Sequence, residues 1–281
     1  MDNKPRKPWI AGLLSLIQPG LGQVYNGEIC KALIIYLFPL LIIPGLIFCL
    51  NTRFILSFLS FYAVLGAVYY LFVLIDAIRT AKRFNARYNP KKYNKVLGYI
   101  GIYLLVTIMA LSVSALVKHN IIQAFKFPSG SMEPTILADD HILVDRRQAA
   151  RSPQRGDLIV FEYPENPAKD FLKRAVAMGG DTVEIKNKQL LVNGQVIKET
   201  YVVHKDSGLI PAGNNPRDQY GPLVVPADSY FVMGDNRDMS FDSRFWGTVA
   251  KTQIKGIVKC IYWSWDRKKS SVRWDRIGKK M

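Results

Sequence analysis

Cysteine and histidine are scarce in this chain of 281 residues, which holds three of each. Cys260 is the only cysteine after residue 121, so this part of the chain cannot form an internal disulfide. His119, His141 and His204 are scattered, and none of them lies at the spacing of a zinc site. We interpret the histidines as polar surface or interface residues, and we expect neither a metal nor an organic cofactor.

Acidic residues are scarce in the first part of the chain. Residues 1–120 hold 13 Lys or Arg and 3 Asp or Glu, whereas residues 121–281 hold 25 and 19. A positive excess of this size is typical of a protein that binds nucleic acid or faces a membrane surface. The densest positive run flanks the long apolar segments, so we expect a membrane and no nucleic acid.

Charged residues are absent from three long segments, residues 32–50, 54–75 and 96–117. Each segment is long enough to cross a hydrocarbon layer of ~30 Å as a helix that rises about 1.5 Å per residue. A soluble protein could bury one such helix, but three in succession indicate an integral membrane protein. We predict about three transmembrane helices within a membrane domain of residues 31–120, preceded by a cytoplasmic or interfacial segment of residues 1–30.

The loop of residues 77–95 contains seven Lys or Arg and no acid. Short loops of this composition stay in the cytoplasm. The N-terminus, with Lys4, Arg6 and Lys7, carries the same signal. We therefore predict a multi-pass protein of the cytoplasmic (inner) membrane, with the domain after the third span on the extracytoplasmic or periplasmic side.

Residues 9–24 form a fourth apolar stretch, which Pro19, Gly20 and Gly22 interrupt in the sequence IQPGLGQVYNG. A further crossing here would place the two positive segments on opposite sides of the membrane. We interpret the stretch as an interfacial or re-entrant segment. No small-residue cleavage site precedes the next apolar run, so the stretch does not match a cleaved signal peptide.

Residues 121–281 contain short β-rich runs separated by turn residues, a pattern typical of a sandwich or closed sheet. The pair Asn193–Gly194 between two apolar runs predicts a tight hairpin. Residues 205–222 are rich in Gly, Pro, Asn and Asp and predict a long surface loop. The predicted fold class is N-terminal transmembrane α-helices followed by a mostly-β domain.

The segment FPSGSMEPTI, residues 127–136, holds two serines around a glycine and lies between two prolines. Proline fixes φ and glycine permits close approach, so a rigid turn here could expose the Ser131 hydroxyl. Taken alone, this composition also describes an ordinary loop. The chain has no G-x-S-x-G sequence, so a serine with a histidine base lacks support.

This segment and three later ones resemble, in order, the motifs of type I signal peptidases (leader peptidases), which are membrane proteases with a serine/lysine dyad. The matching stretches are FPSGSMEPTI at 127–136, RGDLIVF at 155–161, FLKRAVAMGGD at 171–181 and MGDNRDMSFDSRFWG at 233–247. The resemblance does not cover the first 95 residues. Met239 stands where the family often has Asn, and Gly179 stands where it often has Pro. The last stretch also resembles a polar turn or a calcium loop, but it lacks the order of an EF-hand.

The resemblance implies a catalytic β-domain that hydrolyses the signal-peptide bond of exported preproteins through an acyl-enzyme. It makes Ser131 the nucleophile and Lys173 the general base. The remaining implied roles are an oxyanion hole formed by the Ser129 hydroxyl and the Ser131 amide, orientation of the base by Ser240, and structural support by an ion pair of Asp242 with Arg244.

The physical chemistry of Lys173 agrees with this role. A lysine removes a proton only when its amine is neutral, and its ordinary pKa of ~10.4 keeps it charged near pH 7. Loss of solvent lowers this pKa by as much as several units. Lys173 lies in an apolar run in which Phe171 and Ala175 would share its face of a strand, whereas Arg174 would point the other way.

The implied partners are secretory preproteins with Ala-x-Ala-like cleavage sites, the lipid bilayer and, by proximity, the translocation machinery. Two alternatives remain. The chain could be a dedicated Ser/Lys maturation protease for one substrate, or a non-enzymatic membrane-anchored β-domain that binds an envelope or secretion partner. The intact sequence GDNRDMSFDSR favours the general secretory enzyme.

Overall fold

The computed structural model describes residues 5–49, 55–83, 88, 90–211, 213 and 215–281. The chain divides into two compact units, Met1–Val117 and Lys118–Met281. The change of unit falls three residues before the domain boundary predicted after residue 120.

The first unit is helical. Its helices are α1 Pro8–Ile17, α2 Leu21–Tyr25, α3 Ile29–Leu37, α4 Ile42–Cys49, α5 Ile55–Arg83 and α6 Val96–Asn120, whose last residues belong to the second unit. Within the described residues, two stretches are long and apolar enough to cross a membrane, Ser57–Arg83 of α5 and the whole of α6. The predicted span 54–75 falls on α5 from residue 55 onward, and the predicted span 96–117 falls on α6; residue 54 lies outside the described part of the chain.

The predicted span 32–50 is helical from residue 32 to Gly45 but is not α-helical throughout. It falls on α3 and α4, which are separated by the 3-10 turn Phe38–Leu41. Pro39 lies in this turn and has no N–H with which to continue an α-helix. A hydropathy pattern detects the absence of charged residues but not this change of helix type. The number of membrane crossings stays a prediction. Residue 50 lies outside the described part of the chain.

The apolar stretch 9–24 forms α1 and α2, which are joined by a turn. Gly20 in this turn has a φ of +100°, and a Cβ there would lie 2.5 Å from the Tyr36 ring. The Gln23 side chain is buried and donates to the carbonyl of Val73 in α5 (2.9 Å). Asn26 donates to the carbonyl of Ala77 (2.8 Å). These bonds hold α2 against α5, and the interfacial or re-entrant placement of this stretch stays a prediction.

The second unit is mostly β. Its strands are β1 Ile122–Lys126, β2 Asp140–Asp145, β3 Leu158–Tyr163, β4 Asn166–Met178, β5 Thr182–Lys186, β6 Gln189–Val192, β7 Gln195–Val196, β8 Tyr220–Val224, β9 Ser229–Met233, β10 Val249–Ala250, β11 Ile254–Asp266 and β12 Ser271–Val272, with one short helix, α7 Ser243–Trp246. The larger sheet has the order β1-β2-β11-β3-β4-β9-β10, with β12 on β11, and the smaller has the order β7-β6-β5-β8. All their ladders are antiparallel. The predicted class, apolar helices followed by a mostly-β domain, is confirmed.

The predicted hairpin at Asn193–Gly194 is present in the smaller sheet. Asn193 and Gly194 connect β6 to β7 with φ values of +53° and +77°, as a two-residue hairpin requires. The predicted loop 205–222 is free of strands in its described residues until Tyr220, where β8 begins. Its last residues therefore belong to the sheet. They pair with β5, which supplies ladder partners that local sequence does not reveal.

Three hydrophobic clusters form the core of the second unit. One of them joins β2, β3, β4 and β11 to the segment after β1 through Met132, Ile142, Val160, Leu172 and Ile261. Because Met132 and Ile136 are buried in it, the preceding serine turn is held against the larger sheet. The fold therefore positions the 127–136 segment beside β4.

Candidate active site

Ser131 lies in a short 3-10 turn, Gly130–Met132, which begins a few residues after the end of β1. Its amide donates to the Ser129 Oγ at 3.2 Å, so Ser129 caps the turn. From the segment after β9, the amide of Asn236 donates to the Ser131 carbonyl (3.1 Å), and its side chain donates to the Gly130 carbonyl (3.1 Å). The backbone of Ser131 is thus held by Ser129, which precedes it in sequence, and by Asn236, from the segment after β9.

Lys173 reaches this turn from the middle of β4, where it pairs with Ile159 of β3. The Lys173 Nζ and the Ser131 Oγ are 2.7 Å apart, within hydrogen-bonding distance. Lys173 is 4% exposed and Ser131 is 7% exposed. Phe171 and Ala175, which were predicted to share a strand face with Lys173, pack in one hydrophobic cluster. The two candidate residues, 42 positions apart in sequence, therefore meet in a site largely shielded from water.

The surroundings of Lys173 favour its neutral form. Burial lowers the pKa of the Lys173 amine from 10.5 to about 8, and the positive charge of Arg244 acts in the same direction. The Asp242 carboxylate opposes this change only in part. A useful fraction of the amine is therefore uncharged near neutral pH.

Asp242 and Arg244 form the predicted ion pair, and both are buried. The Arg244 Nε and Nη2 each donate to the Asp242 carboxylate at 2.8 Å. Burial alone would raise the pKa of Asp242, but the Arg244 guanidinium holds it below its ordinary value. The carboxylate also accepts from the Gly234 amide (3.0 Å), and Arg244 donates to the Arg237 carbonyl (2.7 Å). The pair thereby ties together the residues around Ser240.

Ser240 is buried close to the dyad, but among the described residues no hydrogen bond joins its hydroxyl to the Lys173 amine. Gly234 makes this close packing possible. A Cβ at Gly234 would lie 2.2 Å from the Ser240 Oγ and 2.5 Å from the Ser131 carbonyl oxygen. The implied orienting role of Ser240 stays a prediction.

The structure adds residues that the sequence reasoning missed. Arg174 donates from Nε and Nη2 to the Asp235 carboxylate at 2.8 and 2.6 Å, and both side chains are buried. This bond fastens the segment that carries Gly234 and Asn236 to β4. These residues belong to the last motif, MGDNRDMSFDSRFWG, so the sequence identified the segment. Its support of the serine turn is visible only from its contacts in the structure.

The dyad opens into a cleft of about 460 Å³. Its walls include Phe127, Leu172, Met239 and Phe241. Met239 is 67% exposed and Phe241 is 50% exposed. Such a cleft can receive a chain with small or apolar side chains beside the Ser131 hydroxyl. Within the described part of the chain, no group of three or more His, Cys, Asp or Glu residues could hold a metal.

A serine hydroxyl in contact with a buried lysine amine, at an open cleft of a β-domain, has the geometry that a serine hydrolase needs when lysine takes the place of a histidine base. Residues 100–263 match the model of one family, described as signal peptidase, peptidase S26. The chain belongs to this family and is a serine endopeptidase that hydrolyses signal peptides.

Two relatives support this assignment. Signal peptidase I of Aquifex aeolicus (strain VF5) is 38% identical over 200 residues, which cover 53% of this chain and 78% of the relative. Signal peptidase I of Leptolyngbya laminosa is 34% identical, with 63% and 85% covered. A crystal structure of a signal peptidase I from Enterococcus faecalis V583 is 32% identical, covers 38% of this chain and 96% of that chain, and has a TM-score of 0.32. Family membership and the two apolar helices associate the chain with a membrane.

Proposed function

We propose that Ser131 attacks the scissile carbonyl of a signal peptide, with the neutral Lys173 amine as its general base. The observation that carries this proposal is the 2.7 Å separation of the Lys173 Nζ from the Ser131 Oγ in a buried site. A single oxygen held against a single desolvated amine has one evident chemical use, which is removal of the hydroxyl proton.

The steps conserve every proton. As the Ser131 oxygen bonds to the carbonyl carbon, its proton moves to the Lys173 amine. The resulting ammonium then protonates the departing amine as the C–N bond breaks, which leaves an acyl-enzyme. A water molecule next loses its proton to Lys173 and attacks the ester, and the same proton returns to the Ser131 oxygen when the acyl product leaves.

The negative oxygen of the tetrahedral intermediate needs hydrogen-bond donors. We assign the Ser131 amide and the Ser129 hydroxyl to this role, because both lie at the start of the serine turn. The amide bonds to the Ser129 Oγ at 3.2 Å, which is long for a hydrogen bond and is readily exchanged for a charged acceptor. Removal of one such donor costs on the order of 100-fold to 1,000-fold in rate.

The remaining residues position the dyad. We assign Asp242 and Arg244 to holding the 234–244 segment in place, in agreement with the two hydrogen bonds within this pair and the two that join it to Gly234 and Arg237. We assign Ser240 to orienting the Lys173 amine, in agreement with its burial beside Gly234 and the Ser131 carbonyl.

We further propose that the substrates are exported preproteins with small residues, such as Ala-x-Ala, before the cut. The cleft floor beside Ser131 is formed by Met132, Ile136 and Leu172, which leave room for small apolar side chains. The positive loop of residues 77–95 favours a multi-pass placement in the inner membrane, with the β-domain on the outer side and near the translocation machinery.

Cleavage of precursors by the full chain in vesicles tests the dyad. We expect Ser131→Ala and Lys173→Ala each to reduce cleavage by at least about 1,000-fold, because each removes half of the proton-transfer pair. Lys169→Ala is the matched control, since Lys169 lines the same cleft but is exposed. Undiminished cleavage by both dyad variants would refute the mechanism. A panel of unrelated precursors separates a general enzyme, which cuts many, from a dedicated maturation protease, which cuts one.

A further inference from the structure

A second concave surface of the β-domain shares no residue with the Ser131 cleft. It has a volume of about 670 Å³. Its walls come from the end of α6, the turn after β2 and the start of the turn after β10. This surface, named the Arg146–Arg151 cleft, is lined among others by Asn120, Arg146, Arg151, Ser152, Asp228 and Lys251.

The Arg146–Arg151 cleft carries positive charge that its acidic neighbours offset only in part. Arg146, Arg151 and Lys251 line it together with a single acid, Asp228. Among the side chains that the structure describes, none of these three cations forms an ion pair, although most other arginines of the β-domain do. The Asp228 backbone carbonyl accepts from the Lys251 amide (2.8 Å), which fixes the two walls relative to each other. The net charge of the walls is +2, from three cations and one acid.

Both guanidinium groups hold donors that lack an acceptor. The Nε atoms of Arg146 and Arg151 are buried and have no hydrogen-bond partner in the described structure, whereas Arg146 donates from Nη1 to Gln123. Burial, followed by the positive charge of Arg151, lowers the pKa of Arg146, and the acids Asp170 and Glu162 offset this only in part. Two neighbouring arginines with unpaired donors raise the free energy of the folded protein unless an anion accepts hydrogen bonds from them. The planar guanidinium fork fits the oxygens of a phosphate.

The position of this cleft along the chain points to the source of the phosphate. Asn120 is the last residue of α6, an apolar helix of 25 residues. At about 1.5 Å per residue such a helix is longer than the ~30 Å hydrocarbon layer, so its ends reach the headgroup region. Lys118 and His119, at the same end, suit contact with phosphates at that depth.

We propose that the Arg146–Arg151 cleft binds the phosphate diester of an anionic phospholipid headgroup. The net positive walls favour a headgroup without a compensating amine, such as phosphatidylglycerol, over a zwitterionic one. This binding would fix the β-domain at the membrane surface through a defined site in addition to its helical anchor. The inference does not depend on the chemistry of Ser131.

Photo-crosslinking tests the proposal with a readout specific to the site. The full chain is reconstituted in phosphatidylcholine vesicles that contain a photoactivatable phosphatidylglycerol, and labelled peptides are located by mass spectrometry. The test variant is R146Q/R151Q. The matched control, K186Q/K198Q, removes two positive charges from exposed positions, one at the end of β5 and one shortly after β7. Thermal unfolding and cleavage of a soluble peptide verify that each variant is folded.

We expect labelling of the peptides around residues 146–152 and 251–252 to fall about tenfold or more in R146Q/R151Q and to stay unchanged in the control. A photoactivatable phosphatidylcholine should label these peptides more weakly in the unmodified protein. Equal labelling of the test variant and the unmodified protein would overturn the proposal. Binding of glycerol 3-phosphate to the unmodified protein but not to R146Q/R151Q, without any difference in phosphatidylglycerol labelling between the two, would also overturn it by assigning the cleft to soluble phosphates. If R146Q/R151Q does not fold, R146K/R151K is used; it keeps the charge but loses the fork, and undiminished labelling in it would refute recognition by the guanidinium groups.

Discussion

Replacement of Lys173 by methionine tests whether the amine is held without charge. Methionine retains the unbranched apolar stem of lysine and removes the ionisable group. Because the pKa of Lys173 falls from 10.5 to about 8 on burial, the folded state binds the proton more weakly than the unfolded state. The difference, at about 1.4 kcal/mol per pH unit, is a free energy of about 3 kcal/mol that opposes folding of the unmodified protein at pH values below 8.

The sign of this contribution defines a pH window. Below about pH 8 the full cost is present; between pH 8 and 10.5 it decreases, and above 10.5 it is absent, because both states are then neutral. We therefore expect Lys173→Met to be more stable than the unmodified protein by about 3 kcal/mol at pH 6. For a unit of this size the melting temperature should rise by about 6 to 12 °C. The gain should disappear as the pH approaches 10.5.

The assay is thermal unfolding of the full chain in a neutral detergent at several pH values, followed by tryptophan fluorescence. Lys169→Met is the control, because Lys169 is exposed in the same cleft and its replacement should give no pH-dependent gain. If Lys173→Met is no more stable than the unmodified protein at pH 6, the amine is not desolvated, and the argument for a lysine base fails.

Three further predictions follow from the site. In the unmodified protein kcat/KM should rise about 50-fold from pH 6 to pH 8 and level off above a midpoint near the Lys173 pKa of about 8; a midpoint near 10.5 would contradict a buried base. Ser129→Ala should lower kcat on the order of 100-fold or more with little change in KM, measured by steady-state peptide cleavage, and an unchanged kcat would remove Ser129 from the oxyanion hole. Gly234→Ala should lower kcat/KM at least about 100-fold because the added Cβ would lie 2.5 Å from the Ser131 carbonyl oxygen, whereas Gly101→Ala, with open space around it, should have no effect.

Local sequence was sufficient where the determining physics is local. The Asn193–Gly194 hairpin follows from residues that tolerate positive φ, and the observed φ values agree with it. The helices over residues 55–75 and 96–117 follow from length and missing charge. Over residues 32–50 the α-helix changes to a 3-10 turn at Pro39, which is a backbone effect that hydropathy does not register, and the membrane span stays a prediction.

Strand pairing limited the other predictions. The start of β8 at Tyr220 inside the predicted loop depends on ladder partners in β5, which lie far away in sequence. In the same way, Gly234, Asn236 and the Arg174–Asp235 pair acquire a role only through what they touch. A single sequence does not reveal such contacts, since each residue on its own is compatible with an ordinary polar turn.

The sequence by itself determined the anchoring of the chain by apolar helices, the mostly-β character of the second unit and, through the resemblance of four ordered motifs, the choice of Ser131 and Lys173. Tertiary structure alone decided whether these residues can react. The serine turn meets β4 because Met132 and Ile136 enter the core and Asn236 holds the turn from the other side. The pKa of a lysine depends on how much water and charge surround its amine, and that is a property of neighbours in space rather than of neighbours in sequence.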